Sequence, residues 1–513
     1  MGSDQKALNA LAKGAGITAI AMAVSKVITY LYRVVIARFV GPDAYGQLSL
    51  GLMVIGIGGT LGLLAMNNGL QKFIPEFRTR DELGKIRGLV LSSLYVSVPV
   101  SLVISLMIFF GAEFIALELF DSEGLIPVLK VLAVAPLFGS LSSIFFDVTK
   151  GFNKIIYKAV SVRIIQNLIQ LLVTVALVIF GMGVVGAAWG WITGTIVAAI
   201  LGFYFMEKKV GPILFAKVKP EYQHRKLLKY SSPLLLSGIV GTVMGWADTA
   251  FLGYFMADSD VGLYNAALPT AILILLPHRA IGSLALTSFS ELKERNRESV
   301  EDSLQTATYW VFSLVFPTFL VMLLFSEQVL TILFGSQYAP AATALSILTI
   351  GYLISASVGR VGSFLKSTGH TKYILYNNLA AVILNIILNI VLIPRYGIIG
   401  AAVATSASII FTNLLMFIEV WKKENIISIP WKILKVAVIG MIPLLLVIGL
   451  DNLLFANTPY WFLFPAAILY YTLYIGLFLK TIGLGEEEKK VLTRTGEKIG
   501  YRGEVEKILD KIS

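Results

Sequence analysis

The residues of this chain whose types and spacing can do chemistry are ionisable side chains set inside apolar stretches, because a charge in hydrocarbon is costly and marks a pathway or a partner. Lys26 and Arg33 stand seven residues apart, so they share a helix face with Thr29 and Tyr30 between them. A guanidinium there suits forked hydrogen bonding to an anion such as phosphate; the competing readings are snorkelling and pairing with an acid. His278-Arg279 interrupts a second apolar run, Ala266 to Leu276, beside Pro277. Arg279 approaches the membrane interior there, or snorkels at its boundary.

Asp248 follows Gly238, Gly241 and Gly245 at helical spacing, which puts the acid on a small-residue face where a helix or a cavity comes close. Three readings stay open for it. It can pair with Arg33 in one conformational state, bind a coupling cation with the oxygens of Asn385, Asn389 and Thr405, or sit in a fixed ion pair. Arg360 lies near the end of its apolar run and can guide an anionic headgroup. Asp147 and Lys150 are three apart and can pair along one helix.

The elements that position these groups are membrane spans. Of 513 residues, 57% are hydrophobic and 14% charged, far from the balance of a soluble domain. A span needs about twenty apolar residues. Such runs fall near 14–40, 45–68, 88–111, 126–148, 156–180, 183–206, 229–255, 262–287, 304–325, 341–365, 373–394, 398–420, 432–450 and 460–480. The first carries no small-residue cleavage site and is read as a retained span. The fold class is therefore an all-α polytopic membrane protein of about fourteen spans.

Charge between the spans sets orientation. Lys72, Arg78, Arg80, Lys85 and Arg87, then Lys208, Lys209, Lys217, Lys219, Arg225, Lys226 and Lys229, fall on alternate connections, whereas Glu113, Glu118, Asp121, Glu123, Asp258, Asp260 and Glu327 fall on the others. The basic side is read as cytoplasmic, with both termini on it, in a cell membrane. The net charge of +11 thus reports orientation and gives no reason to expect nucleic acid. The chain has no cysteine, its three histidines are scattered, and no Gly-x-x-x-x-Gly-Lys-Ser/Thr loop occurs. Disulfides, thiolate chemistry, a histidine metal cluster and direct nucleotide hydrolysis are accordingly not expected.

A weak duplication recurs at an offset of about 215 residues. The turn from Arg38 to Leu48 answers to that beginning at Phe255, Glu76 to Glu291, Lys150–Lys154 to Thr368–Lys372, and Gly186-Ala-Ala188 to Gly400-Ala-Ala402. Equivalent spans are six apart and run the same way. The expected organisation is a six-helix bundle over 1–206, a linker over 207–228, a second, parallel-related bundle over 229–421, and spans 13 and 14 within 432–480. A cytoplasmic amphipathic tail over 481–513 completes it. Substrate would sit in a central cavity as the halves rock.

The run Arg33-Val-Val-Ile-Ala-Arg-Phe-Val-Gly-Pro-Asp-Ala-Tyr-Gly46 resembles the first-hairpin signature of the polysaccharide flippases of the multidrug/oligosaccharidyl-lipid/polysaccharide exporter superfamily. Ser367-Thr-Gly-His-Thr-Lys372, Asn385, Asn389 and Leu392-Ile-Pro-Arg-Tyr-Gly-Ile-Ile-Gly-Ala-Ala402 resemble its tenth-to-twelfth-helix region. The resemblance implies transport, not an enzyme activity. The cargo it implies is an oligosaccharide on a polyprenyl phosphate or pyrophosphate, moved from the cytoplasmic to the outer leaflet by alternating access. Lys26, Arg33, Arg279 and Arg360 would then bind its anionic headgroup; in the resembling flippases a basic residue of the eighth helix lines the cavity. Asp248, Asn385, Asn389 and Thr405 would couple or gate. No cofactor is implied beyond a coupling Na+ or H+, and the partners are the lipid-linked glycan, membrane lipids and glycan-assembly enzymes. The alternatives are a cation-coupled drug exporter of the same fold and, more distantly, a membrane glycosyltransferase or ligase.

Overall fold

The structure is a computed structural model that describes residues 2–278, 297–455 and 459–481. Among these, twelve helices are long and apolar enough to cross a membrane. Two of the twelve are double: Gly2–Leu63 breaks at Gly41 (φ 82°, ψ 173°) and Thr371–Glu424 at Gly397 (φ 53°, ψ −131°). The twelve therefore contain fourteen helical segments, the number read from hydropathy, numbered below as spans 1–14. Pro42 gives the first break its cause, since proline pushes the preceding residue out of the α region and Gly41 alone tolerates the resulting backbone.

Span 3, Leu83–Phe110, shows how a helix is built when lipid is the solvent. Its serines recur every fourth residue at Ser93, Ser97, Ser101 and Ser105 and are buried, while Leu102, Val103, Leu106, Met107 and Phe110 are exposed. The middle of the polar stripe finds partners on the facing protein: Ser97 donates to the carbonyl of Leu63 at 3.1 Å and Ser101 to Ser140 at 2.8 Å, while Ser93 donates back to Leu89 of its own helix at 3.0 Å. Small side chains also let backbones approach; a Cβ on Gly62 would meet Ser101 Oγ at 2.5 Å.

Between spans 2 and 3 lies a short amphipathic helix, Met66–Arg78, burying Met66, Leu70, Phe73, Ile74 and Phe77 at helical spacing. Contacts gather the described residues into two compact units. One holds those within 2–269, 333–344 and 382–405, the other those within 270–332, 345–381 and 406–481. The bundle boundaries predicted above divide the chain by sequence; the units divide it by contact and cut across chain order. The second unit has an aromatic core, in which Tyr309, Phe312, Phe316 and Phe319 of span 9 pack with Tyr470, Tyr474 and Phe478 of span 14.

Asp147 and Lys150 do not pair. Asp147 is fully buried in span 4 and takes Lys158 Nζ of span 5 at 2.7 Å, with Ser143 at 3.2 Å; Lys150 instead donates to Gln71 at 2.7 Å. Helical spacing brought the two near, but the buried carboxylate points to the next span. Lys158→Met should therefore lower the thermal stability of the purified protein by about 2 kcal/mol, since it strands a buried charge whose partner is part-exposed. Lys150→Met should cost well under about 1 kcal/mol. Equal losses in a thermal-unfolding comparison would contradict this pairing.

Candidate functional site

Asp248 sits in span 7, His224–Phe255, three residues beyond Gly245, and is 8% exposed. Cβ atoms on Gly241 and Gly245 would meet nothing within 4 Å, whereas one on Gly238 would touch Thr60 of span 2 at 3.7 Å, so the small-residue face meets a helix at one position and open space at two. The carboxylate itself points into protein and is held from three further spans. Tyr264 of span 8 donates to Oδ2 at 2.6 Å. Asn385 and Asn389, one turn apart in span 11, donate to Oδ1 at 3.2 and 2.8 Å. Thr405 of span 12 donates to Oδ2 and lies 3.3 Å from the Tyr264 hydroxyl.

Every one of these donors is neutral. Asn385 and Asn389 reach the same carboxylate because four residues is one helical turn, and Thr405 reaches it because the break at Gly397 turns span 12 back beside span 11. Asn389 Nδ2 also bonds Asn385 Oδ1 at 3.1 Å, which leaves Asn389 Oδ1 buried without a hydrogen-bond partner. A half-turn of either carboxamide exchanges its nitrogen for oxygen at the carboxylate. The nest then offers carboxylate, amide and hydroxyl oxygens, the ligands hard cations take.

The structure thus brings together Asp248, Asn385, Asn389 and Thr405 from the residues named by sequence, and adds Tyr264 and the neighbouring pair Thr249–Asn265, 3.2 Å apart. Tyr264 was missed because a tyrosine in an apolar run reads as core; the acid sixteen residues upstream was its only signal. The Arg33–Asp248 ion pair is absent: among the described residues no carboxylate lies within ion-pair distance of Arg33, which is part-buried in span 1. The fixed ion pair at Asp248 is likewise replaced by neutral donors. Lys26 is exposed on the same helix as Arg33. Arg360 belongs to the second unit and follows the turn at Gly359 (φ 84°), where its Nη1 donates to the carbonyl of His278 at 3.1 Å. Arg279 and the tail beyond residue 481 lie outside the described residues.

A second feature of the first unit is a close backbone contact between the starts of spans 2 and 8. A Cβ on Gly46 would overlap the carbonyl oxygen of Asp258, and one on Gly262 would overlap that of Pro42, so the two glycines pack backbone against backbone. They stand close to the repeat offset. Around them Asp258 accepts from Gln47 at 3.0 Å and Ser122 at 2.5 Å, Tyr45 donates to the carbonyl of Asn265 at 3.4 Å, and Tyr338 to that of Ala37 at 3.0 Å.

Twelve long apolar helices among the described residues, two of them broken at glycine, define a multi-pass membrane protein whose first unit holds a buried carboxylate nest. The fold agrees with solved structures: that of the lipid II flippase MurJ in an inward closed conformation has a TM-score of 0.71 at 16% identity, covering 90% of this chain and 97% of that one. An inward-facing multidrug resistance transporter of the MATE family has 0.64 at 14% identity, covering 78% and 94%. The chain belongs to the polysaccharide biosynthesis protein family, whose profile matches residues 35–343. A relative named "Probable low-salt glycan biosynthesis flippase Agl15", from Haloferax volcanii, is 30% identical over 199 residues. That match spans 38% of this chain and 42% of the relative.

Proposed function

We propose that this protein is a flippase that carries a polyprenyl-phosphate- or pyrophosphate-linked oligosaccharide from the cytoplasmic to the outer leaflet by alternating access, for surface glycan assembly. The observation that supports it most is the Asp248 nest in a chain of the polysaccharide biosynthesis family: a buried carboxylate whose donors among the described residues are all neutral is suited to holding a cation and letting it go. The name of the Haloferax relative points to the same cargo class, and its own name is that of a transporter rather than an enzyme.

In this reading Lys26, Arg33, Arg279 and Arg360 offer cationic contacts to the phosphate, and Asp248, Asn385, Asn389, Thr405 and Tyr264 hold Na+ or exchange H+. The Gly46–Gly262 contact is the outer gate, on the side that carries the acidic connections, and both termini are cytoplasmic. An inside-negative potential favours outward movement of an anion by about 2.3 kcal/mol per charge for each 100 mV. Glycan-assembly enzymes would supply the loaded lipid.

The second reading, a cation-coupled multidrug exporter, is favoured by the likeness to the MATE fold and by the same buried carboxylate. Binding separates the two. Purified protein should retain a lipid-linked pyrophosphate oligosaccharide and not a lipophilic cationic dye, and Arg33→Gln should weaken that retention about tenfold, the loss of one charge-assisted contact. Retention of the dye alone would favour the exporter.

A further inference from the structure

The connection between spans 6 and 7 has no helix over residues 211–223, yet it is not a free tether. Arg87 of span 3 donates through its guanidinium to the carbonyls of Leu214, at 2.9 Å, and Val218. Glu207 turns inward and accepts the N–H groups of Ile213 and Leu214 at 3.2 and 2.8 Å. Glu221 N–H donates to the carbonyl of Gly84 at 2.9 Å, and Gln223 N–H to Ser92 Oγ at 3.0 Å. A Cβ on Gly88 would overlap the backbone of Glu221, so the connection lies directly on the helix.

Strapping the backbone to span 3 fixes which side chains face outward. Phe215 is 74% exposed with its ring edge-on to Phe203, and Val218 and the neighbouring pair Tyr95 and Tyr222 are exposed as well. Lys208, Lys209, Lys217, Lys219, Arg225 and Lys229 are exposed along the same stretch, and among the described residues none has a carboxylate within ion-pair distance. Of the two acids on this stretch, Glu207 is consumed by backbone N–H groups, leaving Glu221 against six exposed cations. Bulky apolar groups interleaved with exposed cations match the boundary of an anionic leaflet, where rings enter the headgroup layer and cations meet phosphates.

We infer that this strap is a docking surface for anionic phospholipid headgroups of the leaflet on its own side. Phe215 and Tyr222 enter the boundary and Lys217 and Lys219 contact the phosphates. Because the strap is bolted to span 3 and runs into span 7, lipid bound there holds both helix ends at one depth.

The absence of native cysteine makes the test direct. Phe215→Cys, labelled with an environment-sensitive fluorophore, is placed in nanodiscs of phosphatidylcholine with or without phosphatidylglycerol, each doped with a headgroup-nitroxide lipid. Thermal unfolding confirms that each variant is folded. Quenching should rise with phosphatidylglycerol and fall as salt is added. In Lys217→Gln/Lys219→Gln the apparent affinity for the anionic lipid should fall about fivefold per cation removed. A label that stays in water in every composition overturns the proposal, as does quenching indifferent to headgroup charge and to the two lysines. Immersion that appears only when an acidic protein is added assigns the strap to a protein partner and overturns it equally.

Discussion

Asp248→Asn is expected to abolish the cation dependence of the protein while leaving it folded. Asparagine keeps the volume and can still bond Tyr264, Thr405 and one carboxamide, but it removes the charge that the nest's described donors surround. Two readouts should move together. In the native protein Na+, or protons if the coupling ion is H+, should raise Tm relative to a bulky organic cation, because a ligand that binds only the folded state stabilises it. In the variant that increment should vanish. Transport driven by the cation gradient should fall roughly 5- to 150-fold, the range of ordinary coupling free energies. Asn389→Ala should weaken the increment rather than erase it, since the charge remains. A variant Asp248→Asn that kept both the Tm increment and gradient-driven transport would show the nest to be structural.

Gly46→Ala has the second largest expected effect, and one methyl group is sufficient for it. The added Cβ meets backbone of the Asp258 turn, which cannot rotate away as a side chain would, so the closed contact with Gly262 must separate. Overpacking of this kind costs about 1–3 kcal/mol. If Gly46–Gly262 is the outer gate, that cost falls on the closed state alone and shifts the population toward the outward-open one. Ser49, one turn from Tyr45 and 4% exposed, supplies the reporter: in a cysteine-free chain Ser49→Cys is the single thiol. Its alkylation from the outer side should speed up about tenfold when Gly46→Ala is added. Gly241→Ala, whose Cβ would face open space, should change neither alkylation nor transport. Unchanged alkylation in Gly46→Ala would mean that the contact is not one that opens.

Much of this architecture is legible in the chain because lipid imposes few rules and enforces them strictly. Apolar length and alternating loop charge located fourteen spans, and the two glycine breaks fell between spans already separated by sequence. The set Asp248, Asn385, Asn389 and Thr405 was legible for a related reason: polar residues at intramembrane depth have few excuses, and two asparagines one turn apart share a face. Tyr264 was not, since its ring reads as core and only its hydroxyl takes part. The Asp147 pairing failed because i, i+3 spacing says which groups can meet and not which way a buried carboxylate points. The Gly46–Gly262 contact had a trace in the repeat, but equivalence in sequence does not say that equivalent residues touch. The same limit applies to Arg33 and Asp248, equated by the repeat and not paired in the structure.

The measurement closest to the central claim is leaflet transfer of a fluorescent polyprenyl pyrophosphate oligosaccharide in vesicles containing the purified protein, read by accessibility to an added quencher. The native protein should transfer the lipid, faster with a potential that draws an anion across in the export direction, and Arg279→Ala and Asp248→Asn should each slow it at least about tenfold. No transfer by the native protein under any imposed cation gradient or potential, with a cationic dye exported instead, would contradict the flippase assignment.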